Sequence, residues 1–297
     1  STGSALYDSE ETLYNAFFSD LDRIISVFSA NTDYVGLNNF DASYGGDVSK
    51  WARYANSLRL QLAMRISKVA PDLAKTQGEK AMADPVGLIE TNADNFNISL
   101  YGSKFHPAQI CFEWGDTRMS ATMESILIGY KDNRIAPFFD PVSDMSLVTD
   151  HPDWPYKGIR NGAELVAKDD RLSFSTIDVS FNDPAKVTKR KVMSADEVFF
   201  IKAEAALRGW AGAGDAQANY EAGVRASFEL WGAGGVDAYL ADNTSLPIDY
   251  NDPVATGAVN DFVNQITTTV AWDEAASNEI KLEKIITQKW IAAYTNE

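Results

Sequence analysis

Residues 194–232 form the stretch with the clearest fold signal and read SADEVFFIKAEAALRGWAGAGDAQANYEAGVRASFELWG. Ser194, with Glu197 three residues later, has the pattern of a capping box at the start of a helix. Gly209 follows the apolar run as a natural helix stop, and Asp215 can cap a second helix. The stretch therefore predicts two helices joined by a short turn of small residues, an αα-hairpin of the size of one tetratricopeptide-like repeat.

Apolar residues at spacings of three and four predict further helices on both sides of this hairpin. The expected helices span about 9–28, 48–69, 72–82, 117–130, 254–266 and 280–294. In the last of them, Ile286 and Trp290 are expected to face the core. Residues 132–183 lack this periodicity and predict a long irregular excursion with a few short strands. The predicted fold class is mostly α.

Charge and composition exclude several classes of function. The 297 residues carry a formal net charge of -16 and are 45% hydrophobic and 23% charged. Such a balance is ordinary for a globular protein, so disorder is not the default expectation. An acidic surface repels phosphate backbones, so we expect no nucleic-acid partner. Cys111 is the single cysteine and is predicted to be a small buried hydrophobe, and neither a metal nor a cofactor is expected.

Catalytic signatures are absent from the sequence. It contains no GxSxG, GxxxxGK[ST] or HExxH motif and no EF-hand loop. The two histidines, His106 and His151, each precede a proline in loop sequence, and we predict no catalytic or metal-binding role for them. With 42 acidic residues, pairs such as Glu113 and Asp116 are expected by chance and do not indicate a glycosidase. We therefore predict that the protein is not an enzyme.

Aromatic residues in loops are the better candidates for a functional site. A sugar ring presents an apolar face of C–H groups that stacks on an aromatic ring, while polar side chains bind the hydroxyl groups. Trp154 and Tyr156 lie in a loop that is bracketed by prolines, and Tyr101 and Phe105 lie in another loop. These four residues are the predicted ligand-binding residues.

Several strings occur in a recognisable order along the chain. They are YGGDVSKW at 44–51 with ANSLR at 55–59 and LAMRIS at 62–67, EWGDTRMSATMES at 113–125 with GYKDNR at 129–134, YKGIRNG at 156–162, MSADEV at 193–198 with KAEAA at 202–206 and RGW at 208–210, and KIITQKWI at 284–291. In these strings the chain resembles the SusD/RagB family, in its SusD-like branch.

The resemblance implies a SusD-like fold with tetratricopeptide-like helix pairs and a loop-rich ligand face. It implies one domain over residues 1–297, as a fragment that lacks the N-terminal anchor and the C-terminal end of full-length members. Members of the family are lipid-anchored at the extracellular face of the outer membrane of Bacteroidetes-type bacteria. They cap a SusC-type TonB-dependent transporter and bind oligosaccharides or polysaccharides before import. The resemblance therefore implies a surface glycan-binding subunit without catalytic activity.

Two other roles in the same uptake system stay open. The ligand could be a peptide, since relatives of the family bind peptides, or the subunit could act as a lid of its transporter with little glycan affinity. The strings that carry the resemblance are those expected to build the scaffold. Asn56, Arg59, Arg118 and Arg134 are therefore expected to be structural rather than sugar-binding.

Overall fold

A computed structural model describes residues 7–101, 104–115, 117–165, 167–255 and 257–295. The helices are α1 (Glu10–Ser29), α2 (Val48–Arg65), α3 (Pro71–Ala83), α4 (Ile110–Trp114), α5 (Ala121–Gly129), α6 (Ile135–Phe138), α7 (Ala195–Leu207), α8 (Ala216–Leu230), α9 (Val236–Leu240) and α10 (Asn278–Ala292). Strands β1 (Phe96–Ser99) and β2 (Lys189–Met193) pair in a two-stranded sheet. Short 3-10 turns occur at Asn92–Asp94, Pro107–Gln109, Met145–Val148, Lys168–Arg171 and Val179–Asn182. The prediction of a mostly α fold is confirmed.

The chain forms two compact units. Unit 1 comprises residues 1–97 and 192–220, and unit 2 comprises residues 98–191 and 221–297. That the whole chain behaves as one domain stays a prediction. None of the described helices is both long enough and apolar enough to cross a membrane.

Unit 1 is built around α2, which packs against α1, α3 and α7. Leu21 and Ile25 on α1 meet Ala55 on α2 in a buried apolar contact, and removal of this surface from water stabilises the helix pair. The Arg59 guanidinium on α2 is buried beside them and forms an ion pair with Asp22 on α1. A buried charge needs such a partner, so Arg59 has the structural role that the sequence predicts.

Unit 2 is built around α5, which is buried along almost its whole length. A polar network lies beside it in the interior. Arg134 and Asp132 have no solvent exposure and form an ion pair. The Arg134 guanidinium also donates hydrogen bonds to the Ser227 hydroxyl at 2.9 Å and to the Gln288 side chain at 2.8 Å. Arg134 therefore also has the structural role expected for it, because the network satisfies its buried donors.

Two helices occur where the hairpin is predicted, since α7 and α8 follow each other along the chain. Gly209 adopts a φ of 71°, the left-handed conformation that glycine reaches without strain, and it lies in the turn after α7. The Asp215 carboxylate accepts a hydrogen bond of 2.8 Å from the backbone N–H of Ala218 and so caps α8 as predicted.

The capping box predicted at the start of α7 is wrong. Ser194 is the N-cap residue, but its side chain caps no backbone N–H, and its hydroxyl donates to the Asp196 carboxylate instead. Asp196 also accepts from the backbone N–H of Glu197 at 2.7 Å. The Glu197 carboxylate accepts from the Gln61 amide on α2 at 2.5 Å, so a tertiary contact takes the group that a capping box needs.

The helix predicted at 254–266 is absent from the described residues of that range. The Asp252 carboxylate accepts hydrogen bonds from the backbone N–H groups of Val254 and Ala255, which a short polar side chain can do in competition with a helix. Tyr250 and Phe262 form an antiparallel bridge, and their rings stack at 5.5 Å. The apolar residues of this segment therefore pack a loop.

The excursion at 132–183 is irregular, as predicted, but its predicted strands are absent from the described residues. It contains α6, three of the 3-10 turns and an isolated antiparallel bridge between Phe139 and Ile177. The two strands of the fold, β1 and β2, lie outside this range. Turns and side-chain contacts, and not strands, therefore order the described residues of this part of the chain.

Candidate ligand-binding site

The segment from residue 101 to residue 114 in unit 2 presents aromatic side chains to solvent. Tyr101, Phe105 and Trp114 are 65%, 42% and 64% exposed, and Ile110 is exposed with them. The face of an exposed aromatic ring is available to stack against a ligand. The structure therefore places two of the four predicted residues, Tyr101 and Phe105, at an accessible surface.

Trp114 is absent from the sequence prediction. It lies in the string EWGDTRMSATMES, which the resemblance assigns to the scaffold. Trp114 is the last residue of α4, and Gly115 with a φ of 60° ends this five-residue helix. This short helix has no buried residue, and no pattern in the string indicates that Trp114 is exposed.

His106 holds this segment in place from within the protein. Its side chain is buried and contacts the Phe181 ring edge-to-face at 5.1 Å. Its Nδ1 accepts a hydrogen bond of 3.2 Å from the backbone N–H of Ala108. Burial and the nearby Arg190 cation both lower the pKa of His106, so the ring is neutral at pH 7 and Nδ1 keeps the lone pair that this bond needs.

A cavity of about 320 Å³ borders the same segment within unit 2. Its lining includes His106, Ile110, Cys111, Arg190 and Tyr294. Cys111 is half-buried at this wall, so the prediction of a buried cysteine is wrong. The volume is at the lower end of the range of small-ligand sites, which is about 300–1,000 Å³.

Glu124 on α5 holds the second predicted loop, residues 151–158. Its buried carboxylate accepts a hydrogen bond of 2.8 Å from the Lys157 ammonium and one of 2.6 Å from the backbone N–H of Gly158. Lys157 is as deeply buried as Glu124, so the two charges neutralise each other away from water. This pair fixes the end of the loop against α5.

His151 fixes the other end of this loop to the same carboxylate. Its Nδ1–H donates to the Trp154 carbonyl at 2.9 Å, and its Nε2 lies 3.3 Å from oxygens of both Glu124 and Asp150. The direction of these two contacts does not satisfy a hydrogen bond, so they are charge contacts. Burial would lower the pKa of His151, but the two carboxylates and the Trp154 carbonyl outweigh it and raise the pKa.

Trp154 and Tyr156 differ in what their rings can offer to a ligand. Trp154 is half-buried, so part of its ring is accessible. Tyr156 is 8% exposed, and burial, with the nearby Asp140 and Asp178, raises its pKa. The stacking role predicted for Tyr156 is therefore not supported, because the contacts of Lys157 draw the end of the loop inward. Among the described residues, no ring contact joins Trp154 or Tyr156 to Tyr101 or Phe105.

The chemistry that these groups offer is stacking and hydrogen bonding. In the described ranges, no group of three or more His, Cys, Asp or Glu side chains is placed to hold a metal ion. Asp116, one member of the carboxylate pair considered in the sequence, lies outside the described residues. Arg118 donates hydrogen bonds to the backbone carbonyls of Arg171 and Leu172, which is a structural use of its side chain.

Comparison with known proteins identifies a family for this chain. A family model, described as SusD-like and covering SusD and RagB outer membrane lipoproteins, matches residues 1–297. No curated protein matches the chain. The resemblance inferred from the sequence strings is thus confirmed by a match along the whole chain.

Solved structures match the chain with high similarity. A chitin-binding SusD homologue from Flavobacterium johnsoniae is 41% identical with a TM-score of 0.89, and the match covers 99% of this chain and 60% of that one. A SusD-like protein from Bacteroides thetaiotaomicron is 36% identical with a TM-score of 0.87, with coverage of 99% and 60%. A SusD homologue from Bacteroides uniformis is 39% identical with a TM-score of 0.86, with coverage of 98% and 58%. The chain therefore spans less than two thirds of the length of each of these proteins.

Proposed function

Because the chain belongs to the SusD-like family of outer membrane lipoproteins, we propose that it is a surface glycan-binding subunit of a nutrient-uptake system. It captures oligosaccharides or polysaccharides at the extracellular face of the outer membrane and passes them to a SusC-type TonB-dependent transporter. The observation that carries the proposal is the exposure of Tyr101, Phe105 and Trp114 within one short segment.

The exposed rings fit a neutral sugar chain better than a charged ligand. Each ring offers a flat apolar face to the C–H groups of a sugar, and Trp154 adds a partly accessible indole in the same unit. The net charge of -16 opposes the approach of acidic polysaccharides. The similarity to a chitin-binding homologue makes chains of β-linked N-acetylglucosamine the first ligand to test.

Binding without cleavage is part of the proposal. Hydrolysis of a glycosidic bond needs two carboxyl groups, about 5–10 Å apart, on opposite sides of the bond. The exposed aromatic segment has one described acid, Glu113, whose carboxylate accepts from the Gln109 amide at 3.3 Å. The cavity lining includes no acid, and its Tyr294 hydroxyl donates to the Phe138 carbonyl at 2.6 Å. These groups support a site that holds a glycan and performs no chemistry on it.

Affinity electrophoresis of the purified protein tests this function. Native gels would contain glycol chitin, a neutral glucan or a carboxylated polysaccharide, with albumin as the non-binding control. We expect retardation by a neutral glycan, glycol chitin first, and none by the carboxylated polymer. Absence of retardation by every glycan would reject the proposal and favour the peptide-binding or lid role.

A further inference from the structure

A second aromatic surface lies in unit 1, on the loop between α1 and α2. There a depression of about 320 Å³ is lined by Leu37, Phe40, Asp41, Ala42, Ser43 and Trp51. Phe40 lines the depression and is 86% exposed, and Tyr34 is exposed on the same loop. The loop therefore exposes two aromatic side chains to solvent.

Hydrogen bonds to the Asp41 carboxylate fix the loop that forms the depression. One of its oxygens accepts from the backbone N–H groups of Ser43 at 2.8 Å and Tyr44 at 3.2 Å. The other accepts from the backbone N–H of Gly46 at 2.9 Å and from the indole Nε1–H of Trp51 at 2.7 Å. A carboxylate has about four acceptor positions, and all of them are used within the loop. Asp41 therefore shapes the depression and has no capacity left to bind a ligand.

Neighbouring aromatic rings fix the orientation of the Trp51 ring. Its ring contacts Tyr44 edge-to-face at 5.4 Å and Phe96 at 5.2 Å, and Tyr54 lies 5.9 Å away. Contacts of this kind, together with the bond to Asp41, fix an aromatic ring through several independent restraints. The Trp51 ring is therefore ordered before a ligand enters the depression, and binding loses little conformational entropy at this residue.

The chemistry around the depression matches an uncharged, hydroxyl-rich ring. The chain has no lysine or arginine between Arg23 and Lys50, so no cation of the loop can attract an anionic ligand. Ser43 provides a hydroxyl-bearing side chain in the lining of the depression, together with Phe40 and Trp51.

We propose that this depression is a second carbohydrate-binding site, in which Phe40 and Trp51 contact the apolar face of a sugar ring. The inference rests on the proposed function and extends it from one glycan contact to two on the same chain. A long glycan that reached both sites would be held by avidity, whereas a short one would bind each site separately.

Fluorine NMR of protein labelled with 5-fluorotryptophan tests this site directly. The chain has seven tryptophans, and Trp51→Phe assigns the signal of interest. Chitohexaose would be titrated into the wild type and into Phe40→Ala, Phe40→Tyr and Val69→Ala. Val69 is the matched control because it is an exposed apolar residue of unit 1 that does not line the depression.

The expected result is a shift of the Trp51 signal on titration. Phe40→Ala should weaken this response about three- to tenfold, while Phe40→Tyr, which keeps the ring, and Val69→Ala should leave it unchanged. A Trp51 signal that stays still while another tryptophan signal moves would overturn the second site and leave the proposed function intact. If no tryptophan signal moves at saturating chitohexaose, both the second site and chitin-type binding are rejected.

Discussion

Glu124 shows how much one buried side chain contributes to the loop that carries Trp154. Its carboxylate neutralises the buried Lys157 ammonium and receives the backbone N–H of Gly158. Because Lys157 has almost no contact with water, removal of the negative charge leaves its positive charge uncompensated. The position is therefore sensitive to substitutions that keep the shape of the side chain and remove only its charge.

We expect Glu124→Gln to lower the free energy of unfolding by about 3–5 kcal/mol, measured by urea denaturation. Arg225→Ala provides the control, since its ion pair with Asp237 has both side chains largely exposed, and such pairs contribute about 0–1 kcal/mol. Equal effects of the two substitutions would contradict the role given to the buried pair.

The surroundings of the two histidines shift their pKa values in opposite directions. The pKa of His151 is raised above its ordinary value of 6.5 by the carboxylates beside it, although burial opposes this shift. The pKa of His106 is lowered by burial and by Arg190. In an NMR titration we expect one histidine to titrate above 6.5 and the other below it, with His151→Asn assigning the pair. Two titrations that both fall at 6.5 would contradict the described environments.

The sign of the resulting pH dependence follows from linkage. A histidine whose folded pKa is raised stabilises the protein fully below its unfolded pKa, and this stabilisation is lost as pH rises through the folded pKa. The difference in unfolding free energy between wild type and His151→Asn should therefore be largest below pH 6.5 and shrink as pH rises through the His151 pKa.

At the scale of elements, α5 depends on the close approach of its backbone to another segment of unit 2. The Ser125 carbonyl on α5 accepts from the backbone N–H of Ile248 at 3.0 Å. A Cβ atom at Gly129 would lie 2.4 Å from the Leu246 carbonyl oxygen and 2.4 Å from the Pro247 Cα atom. These neighbours are backbone atoms, so neither can move away cheaply.

Gly129→Ala should therefore lower the free energy of unfolding by at least ~2 kcal/mol, as overpacking of a tight site does. Gly234→Ala is the matched substitution, because an added Cβ there meets nothing within 4 Å and its φ is not in the left-handed region. It should change stability by no more than about 0.5 kcal/mol in the same denaturation experiment. A Gly129→Ala protein as stable as Gly234→Ala would contradict the close approach.

The helix α10 shows which part of an element could be predicted from sequence. Its existence and approximate ends follow from apolar spacing, but its buried face does not. Ile286 and Trp290, expected in the core, are exposed, whereas Lys284 and Gln288 are buried. Gln288 bonds the interior Arg134, and the Lys284 ammonium donates to the Thr269 carbonyl. Apolar periodicity cannot indicate polar residues that bury because partners from distant segments satisfy them.

For the whole molecule, the mostly α fold class follows from apolar spacing, and the family follows from the order of the family strings. Several residues of these strings, such as Arg59 and Arg134, are buried in the interior. The site could be predicted only in part. Tyr101 and Phe105 are accessible as predicted, but Tyr156 is buried. Trp114 is exposed, although it lies in a string that the resemblance assigns to the scaffold. Exposure is decided by tertiary packing, which a loop sequence does not contain.

We propose that exposed aromatic rings of this chain bind a neutral glycan. Isothermal titration of chitohexaose into wild type, Trp114→Ala and Trp290→Ala tests it most directly, because both tryptophans are exposed and only Trp114 belongs to the proposed site. We predict that Trp114→Ala weakens binding about tenfold or more, that Trp290→Ala binds as the wild type does, and that both keep the wild-type melting temperature. Wild-type affinity in Trp114→Ala, or no heat of binding in the wild type, would contradict the account.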